Sequence, residues 1–260
     1  MKKISMCLVA ILLMAAMVTG CGTPAPTEPA QTTAPSQTTP ETQAPATEAP
    51  VETTAPAVAE PSDLVDEAYA QVIGRYYTAL NEQWTEDKYF ENEMSALAAY
   101  YYEGNPLENV GFAYLDLDND GQNELIIGAI ANADQDPSVF EIWTIANGEP
   151  VMLAQGGTRN RYVMQFAEED NAWYVVNEAS NSAASYATYC MMLTEGKLEV
   201  TQGILFDAAA DEENPWFMTY DLDWDASNDE PIDEEMANAI LDNNRMYYTA
   251  LEYIPYTNFN

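Results

Sequence analysis

Histidine is absent from this 260-residue chain, basic residues are scarce, and cysteine occurs three times. Without an imidazole there is no Ser-His-Asp or Cys-His catalysis, no ordinary His-containing zinc site and no histidine proton relay. Eight Lys and Arg stand against 43 Asp and Glu, a net charge of -35. A nucleic-acid partner is therefore excluded, because a phosphate backbone needs a basic surface. The chain also lacks an apolar run long enough to span a bilayer. The longest, residues 4–18, holds 15 residues where about 20 are required. What remains open is oxygen-ligand metal chemistry and carboxylate chemistry.

That apolar run follows Lys2 and Lys3 and ends in Val18-Thr19-Gly20-Cys21. A basic start, a short apolar stretch and small residues at the cleavage point define a secretory signal. The ending resembles the lipobox of bacterial lipoproteins. The resemblance implies that residues 1–20 are removed and that Cys21 becomes a lipid-modified N-terminus. It further implies a membrane partner reached through the lipid anchor, with the working part outside the cytoplasm. Two or more acyl chains give a stable anchor at about 0.8 kcal/mol per buried CH₂.

Residues 21–61 form a tether. Between positions 22 and 61, nine Pro, ten Thr and nine Ala leave almost nothing that can build a core. Such a segment reaches at most about 3.1 Å per residue. It reads either as a stalk, with Thr available for O-glycosylation, or as a passive linker. Residues 62–260 carry all 29 aromatics, 38 acids and six basic residues. They are long enough for a full core. Cys190 is their only cysteine, so no disulfide can form within them, and its apolar neighbours mark it as a buried small hydrophobe.

Apolar residues at helical spacing predict helices over 63–81, capped by Ser62 or Asp63, and over 85–102, ending at Gly104-Asn105-Pro106. The tyrosines at 76, 77, 100, 101 and 102 read as half-buried packing with hydroxyls in water. Then follow short β-rich runs at 111–117, 124–130, 139–146, 150–154, 162–167, 172–177, 186–193, 197–204 and 217–222. Asn147-Gly148 is a strong hairpin signal; Asp170-Asn171 and Glu195-Gly196 are weaker ones. A last helix is expected over 231–250, with Pro231 at its first position. The class is α+β: N-terminal helices on a mostly antiparallel meander, with a C-terminal helix.

One motif carries chemistry. Asp116-Leu117-Asp118-Asn119-Asp120-Gly121-Gln122-Asn123-Glu124 sets three Asp at alternating positions, glycine at the bend and an acid at position nine. Ca²⁺ takes six to eight oxygens. The expected ligands are Asp116, Asp118, Asp120, the backbone carbonyl of Gln122, and Glu124 directly or through water. An EF-hand is excluded, since position twelve is Ile127 and both flanks read as strands. The loop resembles the strand-flanked calcium loops of FG-GAP and VCBS-type extracellular modules. With its flanks it is similar to a loosely defined set of Firmicutes surface lipoproteins, over roughly residues 69–130. The resemblance implies a structural Ca²⁺ and no particular activity. A second string, Asp221-Leu222-Asp223-Trp224-Asp225-Ala226-Ser227-Asn228-Asp229, imitates the first without the glycine. It admits a weak cation site but reads better as a strand end, with Asp229 or a nearby acid capping the final helix.

Ser180, Ser182 and Ser185 have no Lys or His base near them in sequence, and no particular carboxylate pair stands out among 38. Arg159 and Arg161, beside Gly156-Gly157, suggest internal ion pairing more than an anion site. The expectation is an anchored extracellular module that binds a glycan, peptide or other envelope component without catalysis. The alternative is a secreted hydrolase of extracellular polymers using Asp/Glu acid–base chemistry, which would need two carboxylates flanking a cleft.

Overall fold

The strand runs and turn signals condense into one antiparallel sheet. The computed structural model describes residues 66–130 and 137–259, within the unit Ala59–Asn260. The proposed signal peptide, Cys21 and the tether lie outside the described residues, as do Ser62 and Asp63.

Nine strands answer the nine expected runs: β1 (Val110–Leu115), β2 (Glu124–Ala129), β3 (Val139–Ala146), β4 (Glu149–Gln155), β5 (Asn160–Ala167), β6 (Ala172–Ser182), β7 (Ser185–Thr194), β8 (Lys197–Asp207) and β9 (Trp216–Thr219). Two short strands, β10 (Glu230–Pro231) and β11 (Ile254–Pro255), complete the order β10-β9-β8-β7-β6-β5-β3-β2-β1-β11, with β4 paired to β3 off this path. Asn147-Gly148 and Glu195-Gly196 turn with positive φ at both residues, the geometry that matches strand twist in two-residue hairpins.

Apolar residues load both faces of the sheet. On one, Phe112, Leu125, Ile127, Phe140 and Trp143 pack against the leading helix α1 (Ala70–Asn81) through Val72, Ile73, Tyr76 and Leu80. On the other, Leu117, Ile126, Ile142, Met164, Val175, Tyr189, Leu205 and Phe217 form a second cluster. The C-terminal helix α3 (Glu234–Met246) lays Ala237 and Ile240 over Ile204, Trp216 and Met218. The class is α+β with β dominant. Cys190 is buried, 1 % exposed.

The helices differ from expectation in three places. The first begins as a 3-10 turn, Glu67–Tyr69, whose Ala68 N–H is capped by Asp66. The second does not run through 85–102. It stops after α2 (Glu86–Glu91), turns at Glu93 with φ 55°, and resumes as a 3-10 stretch, Ala96–Tyr101. The cause is tertiary. The Ser95 N–H, which a continuing helix would spend on its own carbonyl, goes to the Glu141 carboxylate at 2.6 Å. Third, Pro231 is not the first residue of the last helix. It pairs with Phe217 in β10, and Asp233 becomes the N-cap, accepting from the Met236 N–H at 2.7 Å.

The tyrosines divide. Tyr100 is 56 % exposed, whereas Tyr76 is wholly buried and its hydroxyl is not in water. Arg161 pairs with Glu178, the internal ion pair expected of that loop.

Candidate metal centre

The first hairpin closes on the D-x-D-x-D-G loop. β1 and β2 pair antiparallel to their last partners, Leu115 and Glu124, which leaves residues 116–123 to cross between them. Leu117 explains how the loop curls. It is 2 % exposed and turned into the second core cluster, so the residues on either side of it, Asp116 and Asp118, point away from that core. Asn119 and Gly121 take the left-handed backbone, φ 60° and 90°. Asparagine tolerates that region and glycine occupies it without steric cost.

Hydrogen bonds fix the curl. Asp116 accepts the N–H groups of Asp120 and Gly121, both at 3.0 Å, and Asp120 accepts that of Gln122 at 2.7 Å. The result is convergence: one carboxylate oxygen from each of Asp116, Asp118 and Asp120 lies within 4.8 Å of the others. Among the described residues this is the sole group of three or more acids drawn so close. Unit charges at that spacing repel by about 1 kcal/mol per pair in full water screening and about 3–4 kcal/mol at the effective screening of a protein surface. Burial first, then Asp120 and Asp116, raise the Asp118 carboxyl above its usual range. Its Oδ1 is shielded from solvent and has no hydrogen-bond partner. An orphaned carboxylate oxygen facing two more carboxylates is a donor set suited to a cation.

The remaining predicted ligands sit differently. Glu124 is 1 % exposed and lies beside the Asp cluster rather than within it. Its Oε2 accepts the Leu117 N–H at 3.0 Å, and its Oε1 accepts the Thr144 hydroxyl at 2.9 Å. Burial raises its carboxyl, and Asp118 and Asp120 add to the shift, so the four acids share one electrostatic neighbourhood. The Gln122 side chain turns toward β3, donating to the Ile145 carbonyl at 3.2 Å.

Two supports were not legible in the sequence. Thr144, in the middle of β3, holds Glu124; Tyr69, ahead of α1, donates its hydroxyl to the Asn123 carbonyl at 2.8 Å and ties the leading segment to the loop. Neither residue type at its position carries a signal, because both contacts are long-range. A third feature is the buried Glu141. It receives the Ser95 N–H, the Trp143 indole N–H at 2.9 Å and the Gln155 amide, and burial nonetheless raises its carboxyl. A lone Glu inside an apolar strand was its only mark.

Comparison with protein-family models, with curated proteins and with solved structures finds no match for this chain. The site is therefore read from its own chemistry. Among the described residues no helix is long and apolar enough to cross a membrane.

Proposed function

We propose that the protein is a lipid-anchored extracellular module of the bacterial envelope whose first hairpin holds a structural calcium ion. The observation that carries the calcium reading is the convergence of Asp116, Asp118 and Asp120 with the unpartnered Oδ1 of Asp118. These residues would hold the ion, with the Gln122 carbonyl and Glu124 completing the shell directly or through water. Calcium suits a shell built from carboxylates, a carbonyl and water better than magnesium, which dehydrates reluctantly. The ion's role is to staple β1 to β2 and to offset carboxylate repulsion.

The anchor rests on the sequence of residues 2–21 and its resemblance to a lipobox. The module itself acts by binding. A groove of about 470 Å³ beside β1 is lined by Tyr114, Trp173, Leu251, Glu252 and Ile254. The Tyr114 ring packs away against Tyr69 and Phe112, which leaves the Trp173 indole and the Glu252 carboxylate to meet a sugar ring or a peptide side chain. An acid–base hydrolase would need a second carboxylate across the groove.

Calorimetric titration of the full-length chain with CaCl₂ tests the ion: binding is expected whose tightest equivalent D118N removes. No heat in wild type into the millimolar range would refute it. Incorporation of a labelled fatty acid, lost in C21A, tests the anchor. A glycan and peptide array probed with and without calcium tests the binding role, and turnover of a polysaccharide with a silent array would reverse it.

A further inference from the structure

We propose that the loop Asp221–Asp229 is a second divalent-cation site, separate from the first and of the same oxygen-ligand chemistry. It bridges β9 and β10, near the opposite edge of the sheet order from β1 and β2. Its spacing repeats the first loop position for position, with acids at one, three, five and nine. The backbone repeats it at one position: Trp224, at position four, has φ 60°, the value Asn119 has in the first loop. Asp225 accepts the Ser227 N–H at 3.0 Å, as Asp120 accepts that of Gln122.

Those likenesses alone describe an acidic turn. The independent observation is Tyr189 on β7. It is 1 % exposed, its hydroxyl is sealed from solvent, and it makes no hydrogen bond. Its ring stands edge-on to Trp224, centroids 6.2 Å apart at 86°, which directs it to the loop. The ring lies over Gly203, where an added methyl group would meet both Tyr189 Cδ1 and Thr219 Cγ2 at 2.8 Å, so it stands beside the β9 residue that leads into the loop. A buried hydroxyl without a partner therefore stands against the loop. The Asp229 Oδ2 is likewise shielded and unpartnered. Among the described residues none of the four acids is in an ion pair.

A divalent cation satisfies this arrangement. Asp229 supplies an inner oxygen, Asp221, Asp223 and Asp225 supply the outer ones, and the Tyr189 hydroxyl donates to a carboxylate or water of the shell. The acids stand farther apart than in the first loop, where alone three oxygens close to within 4.8 Å. The second site is accordingly the weaker of the two.

The test uses the full-length chain and CaCl₂ alone, by calorimetry, with circular dichroism checking the sheet in every variant. Wild type is expected to take two equivalents, D116N/D118N to keep the weaker one, and D221N/D223N to lose it. Y189F should weaken that equivalent about fivefold, the effect of one hydrogen bond, and leave the other unchanged. A folded D116N/D118N that takes no calcium up to about 10 mM, beyond the range of extracellular calcium modules, overturns the proposal. So does an unchanged Y189F. Should D116N/D118N fail to fold, the stoichiometry of D221N/D223N decides: one equivalent fewer than wild type supports the second site, and an equal count overturns it. Failure of the first loop's assignment looks different, as a single wild-type equivalent that survives D116N/D118N and vanishes in D221N/D223N.

Discussion

The 116–124 and 221–229 loops have nearly the same acidic pattern and are built by different means. In the first, Leu117 sinks into the core, Glu124 is buried under two donors, and the three outer carboxylates are drawn together. In the second, Leu222 is 50 % exposed, and Asp221, Asp223 and Asp225 face solvent. The buried partner there is a tyrosine that arrives from β7. Convergence of charge in this protein follows from an apolar anchor inside the loop. The acids provide the ligands, and the leucine aims them.

The largest contrast should appear in calcium-dependent stability. A ligand bound at a hundred times its Kd adds about 2.7 kcal/mol. Thermal melts in calcium and in chelator should differ by an increment of that order for wild type, and D118N should lose most of it. D223N should lose a smaller part. Equal losses would make the loops equivalent and remove the difference that convergence draws between them. Thr144→Val comes next. It strips the hydroxyl from the buried Glu124 carboxylate, which should cost about 1–3 kcal/mol, read as a urea midpoint shift in chelator. A null result would mean that water replaces the hydroxyl.

How much of this was readable from the chain depends on how local each cause is. The first nine strands were, because turn residues and β-rich runs act over two to eight positions. Asn147-Gly148 encodes its own hairpin. The break after Glu91 was not, because Tyr89, Phe90, Met94, Leu97 and Tyr101 keep helical spacing across it, and the group that intervenes, Glu141, lies 46 residues from Ser95. Pro231 misled for a similar reason. A proline before acidic residues suits a helix start, but pairing with β9 holds it extended, and the Ile232 N–H continues that pairing to the Trp216 carbonyl at 3.0 Å. In the site, the Asp triad was legible from spacing. Thr144, Tyr69 and Tyr189 were not, since each arrives from another strand or helix.

Glu141 calibrates the loops. Its partners are N–H donors of the protein, and no cation is needed to hold it. Burial raises its folded-state pKa above the ordinary value of 4.5. The folded state then binds the proton more tightly than the unfolded one. Its contribution to stability rises as pH falls through the folded pKa and levels off below the unfolded value. Urea midpoints in chelator between neutral pH and about pH 5 should show wild type gaining on E141Q by up to about 1.4 kcal/mol per pH unit. Parallel curves would show that the donors outweigh burial. Asp118, Glu124 and Asp229 shift in the same direction in both proteins, so the difference between the curves isolates Glu141.

The smallest effect concerns position six, where the sequence pattern discriminates most sharply and the structure least. Gly121 has φ 90°, so G121A forces a side chain into the left-handed region at about 1–2 kcal/mol. Ala226 occupies the same place in the second loop, yet it lies in the 3-10 turn Ala226–Asn228, is 7 % exposed, and stays out of that region. Of the first loop's two left-handed residues only the one at position four has a counterpart here, Trp224. A226G should therefore bring no gain in calcium affinity and should lose about 0.5–1 kcal/mol through backbone freedom and the lost methyl contact. If A226G instead tightened calcium binding, glycine would be part of the ligand geometry itself. If it costs stability alone, glycine in such loops reports where the backbone turns back a second time, and an acidic loop that is left-handed only at position four can do without it.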